Sequence, residues 1–462
     1  MASGPSSMSL VHEMAVPSLV QRAEAILRQN DTGIFVKPGL QQYPHQWNWD
    51  TAFVVFGLSH LDSRRARAEV LALLEGQWRD GMVPHVVYHG GASDYFPTPA
   101  FWQIESSANA PAVPTSGITQ PPILATAVRL LHARSRDREA SLAFVRTVYP
   151  SLLAWHRWLY SARDPQRSGL VAIVHPWESG TDNATRWAEP MARITPHDLP
   201  AYRRGDAVHV AAAERPLAED YERYIYLVDT FRRRAYDPAA LYADSPFLVQ
   251  DVFFNALLQR ANEDLRALAQ ALGEPTSEVD GWIARTGHAF DRRFWHDEDG
   301  LYYDYDLRAG APIRDNTCAA FMPLFAGLPG ADEARRLVEE QLMNPLTYAP
   351  DERTRYYLPS VAKNSPLWEP RRYWRGPIWI PVNWLLIHGL RRYDYEELAS
   401  EIGRQTLALI SQSGFFEYYD PRDGSGCGAP EFSWTAALAI DLLLDDEHNA
   451  VLHETNSATC PK

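Results

Sequence analysis

Phe254-Asn255-Ala256-Leu257-Leu258-Gln259-Arg260-Ala261-Asn262-Glu263-Asp264-Leu265-Arg266-Ala267-Leu268-Ala269-Gln270-Ala271-Leu272-Gly273-Glu274-Pro275-Thr276-Ser277 is the stretch that decides the fold. Phe254, Leu258, Ala261, Leu265, Leu268 and Leu272 recur in alternating steps of four and three, the spacing of one face of an α-helix. Gly273 and Pro275 stop that helix, and Ser277 is placed to cap a second, whose buried face is Val279, Ile283 and Phe290. Two helices joined by a tight turn make a hairpin. The same style recurs at Val70, Leu73, Leu74 and Trp78, at Leu152, Trp155 and Leu159, at Leu398, Ile402 and Leu409, and from Ala436 to Leu444. Strand-like alternation is confined to Leu301–Asp306, which reads as a short hairpin after Asp299-Gly300. The chain is therefore expected to be all-α, an α/α barrel or solenoid of helical hairpins, although no fixed-period repeat is visible.

The 462 residues contain no long Pro/Gly/Ser-rich or single-charge linker, so one domain spanning 1–462 is expected. The stretch from about 187 to 246, rich in Arg, Pro and Asp and poorly patterned, reads as an insertion capping the barrel mouth. The tail, 447–462, is expected to be disordered. A net charge of −14 and the lack of a basic stripe argue against a nucleic-acid partner. No stretch has the ~20 apolar residues of a membrane span, and the first residues lack the pattern of a secretory signal. Three widely spaced cysteines, Cys318, Cys427 and Cys460, suit a reducing compartment, so a cytoplasmic location is expected. The sequence is compatible with a homo-oligomer. The 15 Trp, 22 Tyr and 17 Phe are many for a chain only 22% charged, and aromatic faces stack on the C–H faces of sugars.

Two acidic motifs carry the chemistry. In Trp177-Glu178-Ser179-Gly180-Thr181-Asp182-Asn183, Gly180 permits a turn that aims its neighbours inward, and a desolvated carboxyl there keeps its proton for donation to a leaving oxygen. Asp182 and Glu178 both compete for that role. In Phe416-Glu417-Tyr418-Tyr419-Asp420-Pro421, Glu417 lies between aromatic residues as an anionic base able to activate water, with Glu431 as its rival. Tyr43-Pro44-His45-Gln46-Trp47-Asn48-Trp49-Asp50 presents two tryptophans and a carboxylate at a loop-to-helix junction, Asp50 serving either as helix cap or as acceptor for sugar hydroxyls. Thr115-Ser116-Gly117-Ile118-Thr119-Gln120-Pro121-Pro122 reads as a helix start capped by its Thr-Ser pair, with Gln120 offering donor and acceptor. Arg372-Tyr373-Trp374-Arg375-Gly376-Pro377-Ile378-Trp379 reads as a pocket wall with an anion-reading edge. The histidines form no HExxH or paired Cys/His spacing, the glycine-rich 423–428 loop lacks the Lys-Ser/Thr of a phosphate loop, and no G-x-S-x-G elbow occurs. No metal and no cofactor are expected.

Together these motifs resemble glycoside hydrolase family 63, and within it the small enzymes that hydrolyse mannosylglycerate and glucosylglycerate. The resemblance runs in order from Tyr43 to Leu444 and includes Ser433-Trp434-Thr435-Ala436-Ala437. It implies an (α/α)6 barrel with a capping insertion, and inverting hydrolysis of an α-glycosidic bond. It assigns Asp182 as general acid over Glu178, and Glu417 as general base over Glu431. Tyr43, Trp47, Trp49, Asp50, Tyr95, Gln120, Trp177 and Trp379 would surround the sugar, with Gly180 in the same wall. Arg215 and Tyr221, with Tyr373 and Trp374 nearby, match positions that hold the glycerate carboxylate, making a small anionic glycoside the expected substrate. Glu431-Phe432 resembles the wider family equally, so hydrolysis of neutral α-glucosides is the alternative within the fold. Of other classes are a sugar epimerase on a similar barrel, using His45 and His175, and a non-catalytic sugar-binding protein.

Overall fold

The computed structural model describes residues 7–90, 95–444 and 452, with side chains from residue 18 onward. The barrel helices, numbered in chain order, are α1 (Ser7–Asn30), α2 (Asn48–Leu61), α3 (Ser63–Leu74), α4 (Leu124–Arg134), α5 (Arg138–Ala162), α6 (Val252–Leu272), α7 (Ser277–Phe294), α8 (Met322–Ala326), α9 (Ala331–Arg335, continuing as a π-helix over Arg336–Leu342), α10 (Ile380–Arg392), α11 (Glu396–Ser413) and α12 (Ser433–Leu443). The even-numbered helices close a ring, each packing on the next: α2 on α4, α4 on α6, α6 on α8, α8 on α10, α10 on α12 and α12 back on α2. Odd-numbered helices pack outside it, α1 on α12, α3 on α2, α5 on α4 and α6, α7 on α6, and α11 on α10. The protein is an (α/α)6 barrel.

The sequence patterns follow from these two layers. An outer helix buries one stripe, as α7 does with Val279, Trp282, Ile283, Ala289 and Phe290. An inner helix is covered on every side, so α2 is apolar or buried along nearly its whole length and shows no stripe at all. Where α2 meets α12 the backbones nearly touch, and a Cβ at Gly57 would lie 2.5 Å from Ala437 Cα. Toward the other ends of these helices a polar knot ties four of them together. Asp441 on α12 accepts from Arg134 on α4 (2.6 Å), from Trp384 on α10 (2.7 Å), and contacts His60 on α2 (3.0 Å). Burial alone would push the Asp441 carboxyl up, but the cationic and donor neighbours prevail and hold it at about 2.

Several local expectations are corrected. The second helix of the opening hairpin starts at Ser277, so Thr276 takes the cap position, its hydroxyl bonded to Asp280. Trp78 lies past the end of α3, where its indole N–H donates to Thr115. Thr115 and Ser116 cap nothing, since α4 begins at Leu124; Ser116 accepts instead from the Val86 N–H. Leu301–Tyr302 pairs with the preceding Trp295–His296, whereas Asp304–Asp306 enters a four-stranded antiparallel sheet ordered Ala172–Ile173, Val249–Gln250, Asp304–Asp306, Ala311–Ile313. Within the poorly patterned 187–246 stretch runs a helix, Ala218–Arg233, burying Tyr221, Tyr224, Ile225, Val228 and Phe231, with acids in its first turn and arginines in its last. The 447–462 tail falls outside the described residues except for Leu452, which is buried and whose carbonyl accepts from Arg260. Among the described residues no helix is long and apolar enough to cross a membrane.

Candidate active site

At the N-terminal ends of the inner helices lies a partly open cavity lined by aromatic rings and carboxyl groups. Trp47, Trp49 and Asp50 reach it from the start of α2, Gln120 from the segment before α4, and Trp434 from the first turn of α12. Gln120 also accepts from the Trp49 N–H (3.1 Å), fixing the start of α2. Asp50 sits inside the first turn behind Trp47, which occupies the cap position, so its carboxyl is not a cap. Asp182, Trp177 and Gly180 come from one loop, Glu417 from the start of the short hairpin (Tyr418–Tyr419 with Gly426–Cys427) between α11 and α12, and Asp206, Arg215, Tyr221 and Tyr224 from the 187–246 segment. Tyr43, Tyr95 and Tyr373 complete the expected set. Trp374 and Trp379 are not among the lining residues. They stack face to face at 3.7 Å, Trp374 next to Trp49 and Trp379 against Tyr418.

The Asp182 loop is built on a buried arginine. Arg186 donates to Thr181 Oγ1 (2.7 Å), to Asp251 (2.7 Å) and to Asp304 (2.9 Å), joining the loop to the cap of α6 and to the four-stranded sheet. The Tyr224 hydroxyl, with one proton to give, lies 3.0 Å from the Asp182 carbonyl and 3.2 Å from Asn183 Oδ1. Gly180 adopts φ +71°, and a Cβ there would sit 2.8 Å from the Trp49 ring. Gly180→Ala should therefore cost about 1–2 kcal/mol from the left-handed backbone alone. Because it also displaces Trp49, kcat/KM should fall about 10- to 100-fold, checked by steady-state kinetics and a denaturation curve.

Burial raises the Asp182 carboxyl to about 8; Arg215 opposes this and the nearby Glu417 charge adds to it. Asp50 is likewise raised well above the carboxylate range, by burial first and then by Glu417. Glu417 accepts from Tyr43 (2.7 Å) and from the Ala429 N–H (3.1 Å), with Arg215 at 3.5 Å. The rivals lie elsewhere. Glu178 is fully buried, its oxygens taken by Arg163 (2.8 Å) and by the Thr119 and Val174 N–H groups, while Glu431 is exposed and accepts from Gln29. His175 has one ring nitrogen accepting from the Trp177 N–H and the other against the Tyr224 carbonyl, and burial lowers it to about 3. His45 does not line the cavity. Neither histidine is available for epimerase chemistry.

Arg215 donates through Nε to the Asp206 carbonyl (3.0 Å) and through Nη2 to Tyr43 (2.8 Å), its guanidinium 4.6 Å from the Tyr373 ring centre. The flanking arginines do not form the expected anion-reading edge. Arg372 holds the Arg215 carbonyl (2.9 Å) and Glu369, Arg371 pairs with Glu214, and Arg375 faces Asp220. They secure the segment carrying Arg215 rather than face the cavity. Sequence reasoning missed Asp206, His85 and Tyr88 in the lining, single residues without a motif that gave no signal, and gave Phe432 no place in the site although it directly follows Glu431. Among the described residues no cluster of His, Cys, Asp and Glu could hold a metal ion.

The family described as "Mannosylglycerate hydrolase MGH1-like glycoside hydrolase domain" matches residues 43–435, which contain every cavity residue named above. This chain belongs to that glycoside hydrolase family. It is 49% identical over 420 residues to a mannosylglycerate hydrolase of Thermus thermophilus, covering 91% of this chain and 99% of the relative. A glucosylglycerate hydrolase of Mycolicibacterium hassiacum is 36% identical over 441 residues, 92% of this chain and 97% of the relative. A solved GH63 mannosylglycerate hydrolase from Thermus thermophilus, in complex with Tris and D-glycerate, superposes with a TM-score of 0.86 at 47% identity, covering 93% of this chain and all of that one. The protein is a glycoside hydrolase of family 63.

Proposed function

We propose that this glycoside hydrolase cleaves the α-glycosidic bond of 2-O-α-mannosyl- or 2-O-α-glucosyl-D-glycerate with inversion, releasing the free sugar and glycerate. The observation that carries the reading is the pairing, across one aromatic cavity, of a carboxyl held protonated near neutrality, Asp182, with a carboxylate fixed by hydrogen-bond donors, Glu417. In the reaction Glu417 takes a proton from a water whose oxygen bonds to the anomeric carbon. The glycosidic C–O bond breaks, and Asp182 gives its proton to the departing oxygen, so both sites end with proton states exchanged. Trp47, Trp49 and Trp177 supply flat walls for the sugar ring, and Asp50 and Gln120 reach its hydroxyls.

The anionic leaving group is supported by Arg215. Its Nε and Nη2 are engaged with protein, which leaves Nη1 as the donor for a carboxylate, with Tyr221 and Tyr373 alongside. The 187–246 segment acts as the cap of the site, a role supported by its contribution of Asp206, Arg215, Tyr221 and Tyr224 to the wall. A cytoplasmic location is supported by Cys318 and Cys427, both buried free thiols.

Incubation with mannosylglycerate, glucosylglycerate, trehalose, kojibiose and nitrophenyl α-glycosides tests the reading: turnover of at least one glycerate conjugate is expected to exceed that of every neutral compound. Equal or better turnover of the neutral glycosides would move the assignment to a general α-glucosidase. Arg215→Ala should lower activity on both classes, since Arg215 also touches Glu417 and Tyr43. The loss should be about 10- to 100-fold greater for glycerate conjugates, the worth of a lost charge-assisted hydrogen bond, and kcat/KM ratios read it.

A further inference from the structure

We propose that Tyr43, with its hydroxyl direction locked by Arg215, is the positioning residue of the general base, holding the Glu417 carboxylate in the orientation from which it takes a proton from water. This rests on the assignment of Glu417 above and gives Tyr43 a task other than lining the sugar pocket. The Tyr43 hydroxyl stands between two partners, 2.8 Å from Arg215 Nη2 and 2.7 Å from Glu417 Oε1. A guanidinium can only donate, so the phenol oxygen accepts from it and the single phenol proton has one remaining destination, Glu417. Burial raises Tyr43 well above the usual phenol range, the Glu417 charge adding to this against Arg215, so the proton stays on the phenol at any working pH.

The other side of the carboxylate is fixed by backbone. Glu417 N donates to the Ala429 carbonyl (2.9 Å), and the Ala429 N–H donates to Glu417 Oε2 (3.1 Å). One oxygen is thus set by the main chain of the same loop and the other by Tyr43, a residue far away in sequence. The Tyr43 ring is itself wedged edge-on between Trp47 (5.3 Å) and Phe432 (5.6 Å), so the hydroxyl has little freedom to swing away. The charged and titratable groups that act on Glu417 are Arg215 from the 187–246 segment, Asp50 from α2, Asp182 from its loop, Tyr373 from the segment before α10, Tyr418 beside it, and Tyr43. Of these, Tyr43 makes the short hydrogen bond.

Steady-state kinetics of Tyr43→Phe across pH, on whichever glycoside the wild type turns over, tests this, with Glu417→Gln measured beside it. Loss of a donor to a charged acceptor should lower kcat about 10- to 100-fold with KM within about two-fold, and the acid limb of the profile should move to higher pH, because a carboxylate without its donor holds a proton more tightly. Placing 3-fluorotyrosine at position 43, a stronger donor of nearly the same size, should move that limb to lower pH and decides the matter if Tyr43→Phe does not fold. A raised KM at unchanged kcat would make Tyr43 a sugar contact and overturn the proposal. So would an acid limb that neither replacement moves. Wild-type turnover by Glu417→Gln would instead show that the assignment of the base, on which the proposal stands, is wrong.

Discussion

Asp182→Asn should lower kcat/KM on a natural glycoside about 10²- to 10⁴-fold, the range for removing a positioned acid, while leaving hydrolysis of the matching α-glycosyl fluoride largely intact. Fluoride departs without a proton, so a missing acid costs it little. Glu417→Gln should lose both substrates, because both need an activated water. The pH profile carries the same information. Asp182 works protonated and is raised to about 8 by burial, so wild-type activity is present below that pH and is lost as pH rises through it. In Asp182→Asn acting on the fluoride, that alkaline limb should vanish. Equal damage to both substrates in the Asp182 variant, or an alkaline limb unmoved by it, would remove Asp182 from the role.

Arg186→Met should be the most damaging change outside the lining residues, costing about 3–5 kcal/mol, the penalty for leaving a buried partner charge uncompensated. Two buried carboxylates depend on this guanidinium. Asp251, pushed up by burial against the pull of Arg186, also caps α6 through the Phe253 and Phe254 N–H groups; Asp304 also accepts from the Val252 N–H. Its second arm holds Thr181, the neighbour of Asp182, so activity should fall along with stability. Chemical denaturation measures the first and kinetics the second. Adding Asp304→Asn to Arg186→Met should recover part of the lost stability, since one of two orphaned charges is then neutral. A double variant no more stable than the single one would show that packing around Arg186, and not charge, sets the cost.

The helical hairpins were legible where apolar residues keep the helical period: the spacing from Phe254 to Leu272 gives α6 and its stop even though α6 belongs to the inner ring, and Gly273 does take the left-handed conformation that ends it. The ring was less legible. Inner helices such as α2 and α12 are buried all round, so period conveys nothing about which neighbour they meet. Closure instead depends on contacts such as Gly57 against Ala437, which join residues near opposite ends of the chain. The helix Ala218–Arg233 went unread because the Arg, Pro and Asp content of the loop before it dominated a wide window, although Tyr221, Tyr224, Ile225 and Val228 keep the helical period. Likewise the acids of the site were visible as motifs, but motif alone could not separate Asp182 from Glu178. Their surroundings differ: Glu178 is enclosed with Arg163 and two N–H donors, whereas Asp182 lines the cavity, which supports the proposed role of Asp182. The hydroxyl of Tyr43, bridging Arg215 and Glu417, joins three distant segments and leaves no trace in any one of them.

The paired action of Asp182 and Glu417 is tested most directly by the configuration of the sugar at the moment of release. Proton NMR during rapid hydrolysis of an α-glycosyl glycerate should show the β-anomer of the free sugar first, the α-anomer growing in only at the rate of spontaneous mutarotation. First appearance of the α-anomer would mean that one carboxylate attacks the sugar itself, and water delivery by Glu417 would have to be abandoned.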